Sequence, residues 1–154
     1  MVTILDFELV DPGVRHHPVD LWRTIASHGI ASLPPMFVDD EARTLTVTLP
    51  LSRGRPRTVG VRARGAEHGE CIVRGRAPGP GTASEILAVL RHMLALDQNM
   101  TAFYEAAVDD PELSWVRAGA GRMMRSPTVF EDVVKTICTL IRRLSPQISP
   151  VSVE

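Results

Sequence analysis

The amino-acid sequence predicts an α+β fold: an antiparallel β-sheet with flanking helices, followed by further helices. Alternation carries the first half of that expectation. In residues 44–49, 58–64 and 71–76 apolar and polar side chains alternate, so each segment has one buried and one wet face. Short connections, Ser52-Arg53-Gly54-Arg55-Pro56 and residues 65–69, join the three into an antiparallel meander. A change of period carries the second half. After Pro78-Gly79-Pro80-Gly81, a boundary that neither helix nor strand is expected to cross, apolar residues recur at helical spacing.

The other elements follow in order. Residues 2–10 alternate loosely and predict an opening strand before the turn Asp11-Pro12-Gly13. Pro18-Val19-Asp20 starts a short helix with Leu21, Trp22 and Ile25 on one face, stopped by Gly29. Pro34-Pro35 forbids helix continuation, Met36-Phe37-Val38 begins an extended stretch, and Asp39-Asp40-Glu41 makes a hairpin turn.

Past the proline–glycine boundary, Thr82-Ala83-Ser84-Glu85 has the pattern of a capping box, in which both end residues satisfy free backbone N–H groups. Ile86, Leu87, Leu90, Met93 and Leu94 then form an apolar stripe. A further helix is expected over residues 101–108, and Pro111 opens a short helical turn before Trp115. The last helix has two candidate caps, Ser126 followed by Pro127, or Thr128 with Glu131 three residues on. Its stripe is Phe130, Val133, Val134, Ile137, Ile141 and Leu144, with Glu131 and Lys135 opposite at i,i+4 spacing. Residues 145–154 hold two prolines and no periodicity, which predicts a frayed tail. The expected division is therefore a sheet portion over 1–96, a helical portion over 97–144, and a tail.

At 154 residues the chain suits one ordinary domain or one domain with a short appendage. Its net charge of −1 conceals blocks of −5 over residues 1–42, +6 over 43–76 and −2 over 77–154. Lys135 is the sole lysine, so the positive charge is arginine. The guanidinium fork suits phosphate, although a genome rich in G and C would give the same bias. No apolar run approaches the ~18 residues of a membrane span, and Asp6 and Glu8 interrupt any secretory signal at the start. Cys71 and Cys138 exclude a disulfide framework and suit a reducing cytoplasm.

The search for chemistry first excludes. His16, His17, His28, His68 and His92 make no ligand pattern with a third residue, so no metal and no cofactor is expected. Neither a G-x-S-x-G elbow nor a phosphate-binding G-x-x-x-x-G-K loop is present. The pairs Asp39-Asp40 and Asp109-Asp110 sit beside turn signals and read as turn formers. What remains is arginine. Counted by twos, Arg62 and Arg64 oppose Val59 and Val61, while Arg74 and Arg76 oppose Cys71 and Val73. Four guanidinium groups on one sheet face make either a phosphate-tracking surface or a solvated polar face. No aromatic residue interleaves them in sequence, which disfavours base stacking there.

One long stretch, residues 119–139 (Gly119-Ala120-Gly121-Arg122-Met123-Met124-Arg125-Ser126-Pro127-Thr128-Val129-Phe130-Glu131-Asp132 and on to Thr139), is distinctive. It resembles the segment preceding the helix-hairpin-helix in bacterial DNA glycosylases of the 3-methyladenine and 8-oxoguanine type (HhH-GPD). Residues 20–29, Leu96-Asp97 and Thr101-Ala102-Phe103-Tyr104 agree, so the resemblance runs in order from about residue 17 to 139. It implies an N-terminal sheet domain like half of a TATA-binding protein, joined to an all-helical region. It also implies base excision repair, in which a damaged base is flipped from double-stranded DNA and its N-glycosidic bond hydrolysed, in a cytoplasmic, nucleoid-associated protein.

The resemblance stops at Thr139. The family's catalytic aspartate follows a helix-hairpin-helix, yet no aspartate follows Asp132, and Ala118-Gly119-Ala120-Gly121 precedes the helix that should come first. A truncated or frame-shifted gene, a designed fragment or a degenerate paralogue would each end this way, and each is expected to be inactive alone, so no catalytic residue is assigned. Arg122 and Arg125, just before a helix N-terminus that attracts anions, are the leading candidates for DNA phosphate contact. The strand arginines are the others. The alternatives are a non-catalytic DNA binder, or an interaction scaffold that self-associates through the unfinished apolar face of residues 128–144.

Overall fold

The alternating segments pair into one five-stranded antiparallel sheet in a computed structural model that describes residues 1–13, 17–27, 29–52 and 54–144. The strands are β1 (Val2–Glu8), β2 (Phe37–Asp39), β3 (Thr44–Leu49), β4 (Arg57–Ala63) and β5 (His68–Arg74). Strands β2 to β5 form the meander, and β1 closes the far side by pairing with β5, giving the order β1-β5-β4-β3-β2. The register sets Val47 opposite Val59 and Val59 opposite Val73, so the apolar phase of all three strands falls on one face.

That face is the core. Leu45, Val47, Leu49, Val59, Val61, Cys71 and Val73 are buried on it. Helices α1 (Leu21–Ile25) and α2 (Pro80–Met93) cover it, contributing Leu21, Ile25, Ile86, Leu90 and Met93 to the same cluster. Phe7 fills the rim over Gly69, its cross-strand partner. A Cβ at Gly69 would stand 2.3 Å from the Phe7 ring, so any side chain there would displace the ring. Fully burying each Leu or Val here contributes roughly 1.5–3 kcal/mol, which is what fixes the register.

Two helix starts separate local pattern from outcome. Asp20 caps α1 by accepting from the Arg23 N–H at 2.9 Å, in line with the Pro18-Val19-Asp20 signal. The capping box at residues 82–85 does not form. Pro80 stands in the first turn, where its fixed φ is already helical and its missing N–H costs nothing, so α2 begins inside the expected boundary with Gly79 as N-cap. Glu85, released from that role, accepts the backbone N–H of Ser52 and ties the β3–β4 connection to α2.

The remainder is helical. It comprises α3 (Thr101–Ala106), a 3₁₀ segment (Pro111–Ala118) capped by the Asp110 carboxylate, and α4 (Val129–Leu144). Of the two candidate caps for α4 the structure uses Thr128, whose Oγ1 accepts the Glu131 N–H at 3.2 Å. Residues 145–154, expected as a tail, lie outside the described residues. No described helix is long and apolar enough to cross a membrane.

Helix α4 sits with its faces reversed. Lys135 is only 7% exposed and turned inward, whereas Phe130 is 78%, Ile137 50% and Leu140 53% exposed. The charged side packs on the protein and the apolar side faces out.

Candidate functional site

The segment between the 3₁₀ turn and α4 is held open by glycine and closed by charge. Gly119 has φ of +95° and lies against the backbone of Pro18 and Asp20, whose N–H donates to its carbonyl at 3.0 Å. Gly121, at φ +101°, admits the ring of Phe103. The Gly119-Ala120-Gly121 run is thus a close backbone crossing, where a side chain would collide with the entrance to α1.

Arg122, which follows, turns inward. Its guanidinium pairs with Asp11 and donates to the carbonyls of Ala95 and Gln98, and the residue is 2% exposed. Asp11 also accepts the N–H groups of Gly13 at 2.7 Å and Met100 at 3.0 Å. Beside this pair the Tyr104 hydroxyl donates to the Ala120 carbonyl at 3.0 Å, and its ring stacks on His17 with centroids 4.2 Å apart. Burial pushes the Tyr104 phenol up, with Arg122 opposing and Asp11 adding to the shift. Expected at a phosphate, Arg122 is instead an internal clasp, because Asp11 and two carbonyls already engage both of its Nη groups and the side chain is buried.

Arg125 takes the other course. Its side chain is partly exposed, 3.7 Å from the Asp97 carboxylate and 3.5 Å from His92 Nδ1, while its N–H donates to the Met93 carbonyl. It stands at the edge of a cleft of about 640 Å³ between residues 29–33, 98–100, 121–125 and α4. Met100, Met123, Met124, Ile30 and Leu33 supply apolar wall, and Gln98, Asp132 and Lys135 the polar groups. The Asp132 carboxylate accepts the Ser126 N–H at 3.0 Å, and Lys135 Nζ meets Glu131 at 2.6 Å and Ser126 Oγ at 3.3 Å. Both groups are therefore structural anchors. The cleft combines an arginine with an apolar, polarizable interior.

The strand arginines share the outer face of the sheet only in part. Arg62 Nη2 lies 2.9 Å from Glu70, its cross-strand partner, and Arg64 contacts Asp6 at 3.3 Å and Glu70 at 3.7 Å. Acids on the same face thus neutralise two of the four guanidinium groups. Arg74 is exposed at the end of β5, and Arg76 lies beyond the strand, its carbonyl accepting from Arg57 at 3.3 Å. An aromatic residue does share this face. The register Phe37, Thr46, Gly60, Ile72, Ile4 brings Phe37, 64% exposed, onto the same side as Arg62 and Arg74.

Among the described residues no three His, Cys, Asp or Glu side chains gather as a metal site. His16 and His28 lie outside the described residues. Cys71 is buried and Cys138 exposed, and burial pushes the Cys71 thiol from 9.0 up to about 12.

With this geometry in hand, one likeness stands out. Among solved structures the chain is similar to the 3-methyladenine DNA glycosylase from Archaeoglobus fulgidus, with a TM-score of 0.62 and 21% identity over 96% of this chain. The fold is glycosylase-like. The chain spans 46% of that structure's length. No protein-family model and no curated protein matches it. The five-stranded sheet, its covering helices and the helical portion through α4 are all included in the likeness, since nearly the whole chain aligns.

Asp11 and Lys135 are the residues that sequence reasoning missed. Asp11 reads locally as a turn former, which it also is, and its partner lies 111 positions away. Lys135 had a signal in its i,i+4 relation to Glu131, but that spacing is usually found on a solvated face.

Proposed function

We propose that this chain is a base-excision-repair glycosylase-type module that engages double-stranded DNA and, as residues 1–154, does not itself break the N-glycosidic bond. The observation that carries this reading is a coincidence of two independent likenesses. The sequence resembles helix-hairpin-helix glycosylases in order from about residue 17 to 139, and the fold aligns over 96% of its length with a structure named a 3-methyladenine DNA glycosylase.

In this reading residues 1–96 carry the sheet and 97–144 begin the helical region. Arg125 meets a backbone phosphate at the cleft mouth, and Arg74 and Arg76 add weaker, salt-sensitive attraction. Arg122 holds the cleft's shape from inside, and Arg62 and Arg64 contribute little because Glu70 and Asp6 already balance them. Among the described residues the one acid lining the cleft, Asp132, is engaged in anchoring, which supports binding without bond cleavage at this cleft. A cytoplasmic, nucleoid-associated location follows from the DNA substrate.

The experiment is to incubate the chain with duplexes carrying an alkylated base, measuring both retention of the duplex and release of the free base. Binding without release above a buffer control supports the reading. Base release overturns the missing-catalyst argument, and absence of binding overturns the DNA assignment. The second reading, an interaction scaffold, is favoured by one specific observation: the outward apolar face of α4.

A further inference from the structure

Helices α1 and α2 cover one face of the sheet, and the other face is open, with Thr58, Arg62 and Arg74 exposed on it. The cross-strand register arranges that face in rows. Its middle row runs Phe37, Thr46, Gly60, Ile72, Ile4 across all five strands. Phe37 is 64% and Ile4 50% exposed, so a large apolar side chain stands at each end. Gly60 leaves the centre of the row empty. A Cβ there would meet Thr44 and Ile72 at 3.6 and 3.7 Å, which is ordinary contact, so the fold does not demand glycine at this position. Glycine inside a central strand weakens it, and what it offers in return is close approach by another backbone.

Charge is divided across the row. At the end of the sheet that holds the β3–β4 connection stand Arg55, Arg57, Arg74 and Arg76, and among the described residues none of the four pairs with an acid. At the opposite end Asp6, Glu8, Glu67 and the run Asp39-Asp40-Glu41 outnumber Arg43, Arg62 and Arg64. The open face is therefore an apolar row with a basic flank and an acidic flank.

We infer that two copies of this chain pack these open faces together about a two-fold axis lying along the row from Phe37 to Ile4. Rotation about that line returns the row to itself and exchanges the flanks, so the basic end of each copy lies over the acidic end of the other. An axis along the strands would instead set basic on basic. A second copy is the occupant because it carries the reversed pair of flanks itself. The same rotation sets Gly60 against the partner's Gly60, where two bare backbones meet, and leaves the covering helices outside a face-to-face sheet pair. Five strands at about 4.8 Å spacing and seven residues at about 3.3 Å give a contact on the order of 500 Å² per copy, the low end for a specific interface. Association is thus weak and reversible. In a dilute DNA titration the chain is single and Arg74 is free for phosphate. The inference is independent of the DNA reading, since Arg125 lies outside this face.

Sedimentation equilibrium on the full chain, without DNA, tests it. As concentration rises to about 200 µM the mass is expected to climb towards twice 16.9 kDa, and to fall back when salt is raised from about 50 to about 500 mM, because the flanks are exposed. Phe37→Glu and Arg74→Glu, both at exposed positions, are each expected to weaken self-association at least about tenfold with an unchanged circular dichroism spectrum. Arg117→Glu, the same change of charge on the 3₁₀ segment, and Leu140→Asp, on the apolar side of α4, are expected to leave it unchanged. A single-chain mass for the wild type at the highest concentration overturns the inference. So does self-association that Leu140→Asp abolishes, or that survives both sheet-face substitutions.

Discussion

Asp11 and Arg122 form an ion pair with side chains 1% and 0% exposed, joining the turn after β1 to the segment that leads into α4. Around it, the Met100 N–H and the carbonyls of Ala95 and Gln98 complete a set of hydrogen bonds reaching across the fold. Such a pair is a weak source of net stability when intact, because desolvation offsets its attraction, but breaking one side strands a buried charge.

Arg122→Met is therefore expected to lower folding stability by about 3–5 kcal/mol, readable as a shift of the urea midpoint with little change in slope. Adding Asp11→Asn is expected to recover part of that loss, since the buried negative charge is removed while the amide oxygen still accepts from Gly13 and Met100. A single-variant loss below about 1 kcal/mol contradicts the internal role given to Arg122.

Alkaline pH acts through Cys71. Its thiol is raised from 9.0 to about 12 in the folded protein, so above pH 9 the unfolded chain releases a proton that the folded chain retains. The stability from this group is complete below pH 9 and falls by roughly 1.4 kcal/mol per pH unit between 9 and 12. Tyr104, also raised, steepens the decline above its ordinary value of 10.0. Denaturation at pH 8 and 11 in wild type and Cys71→Ala checks this: the variant starts less stable and loses less between the two.

Gly119 is expected to be intolerant of any side chain. Its φ of +95° disfavours L-residues, and a Cβ would stand 2.4 Å from the Pro18 carbonyl oxygen. Gly119→Ala is expected to cost at least about 2 kcal/mol, from backbone strain plus displacement of the α1 entrance. Thermal denaturation measures it. Gly81→Ala, where nothing lies within 4 Å of the added carbon, is the control and is expected to be near neutral.

Much of this fold was written locally. Strands β3, β4 and β5 show their buried face in the alternation of Leu45-Thr46-Val47 and Val59-Gly60-Val61, because a two-residue period has a single solution when one face is packed. The stripe of α4 was equally plain. The start of α2 was not: capping-box and proline signals compete within five residues, and Pro80 prevails because its φ is covalently fixed. The site was less legible still. Whether Arg122 meets phosphate or carboxylate depends on Asp11, 111 positions away, and no local pattern carries that. Phe37 was invisible as a face-mate of the arginines because β2 joins the sheet through β3, so its side is set by cross-strand register.

The arginines are expected to separate by their surroundings when DNA is bound. Arg125→Ala should weaken duplex binding and reduce the slope of log K against log salt by about 0.9, the share of one phosphate contact. Arg62→Ala should leave the slope unchanged, because Glu70 already neutralises it. Fluorescence anisotropy at several salt concentrations distinguishes the two. Equal effects would contradict the assignment of Arg125.

The central claim is that residues 1–154 bind duplex DNA without cleaving the glycosidic bond. Its most direct test is one titration of a duplex carrying a single alkylated base, read by anisotropy across salt concentrations, with the base scored as retained or released at the end point. The account predicts saturable binding that weakens linearly in log salt, with the base retained. Salt-insensitive or absent binding, or a released base, would contradict it.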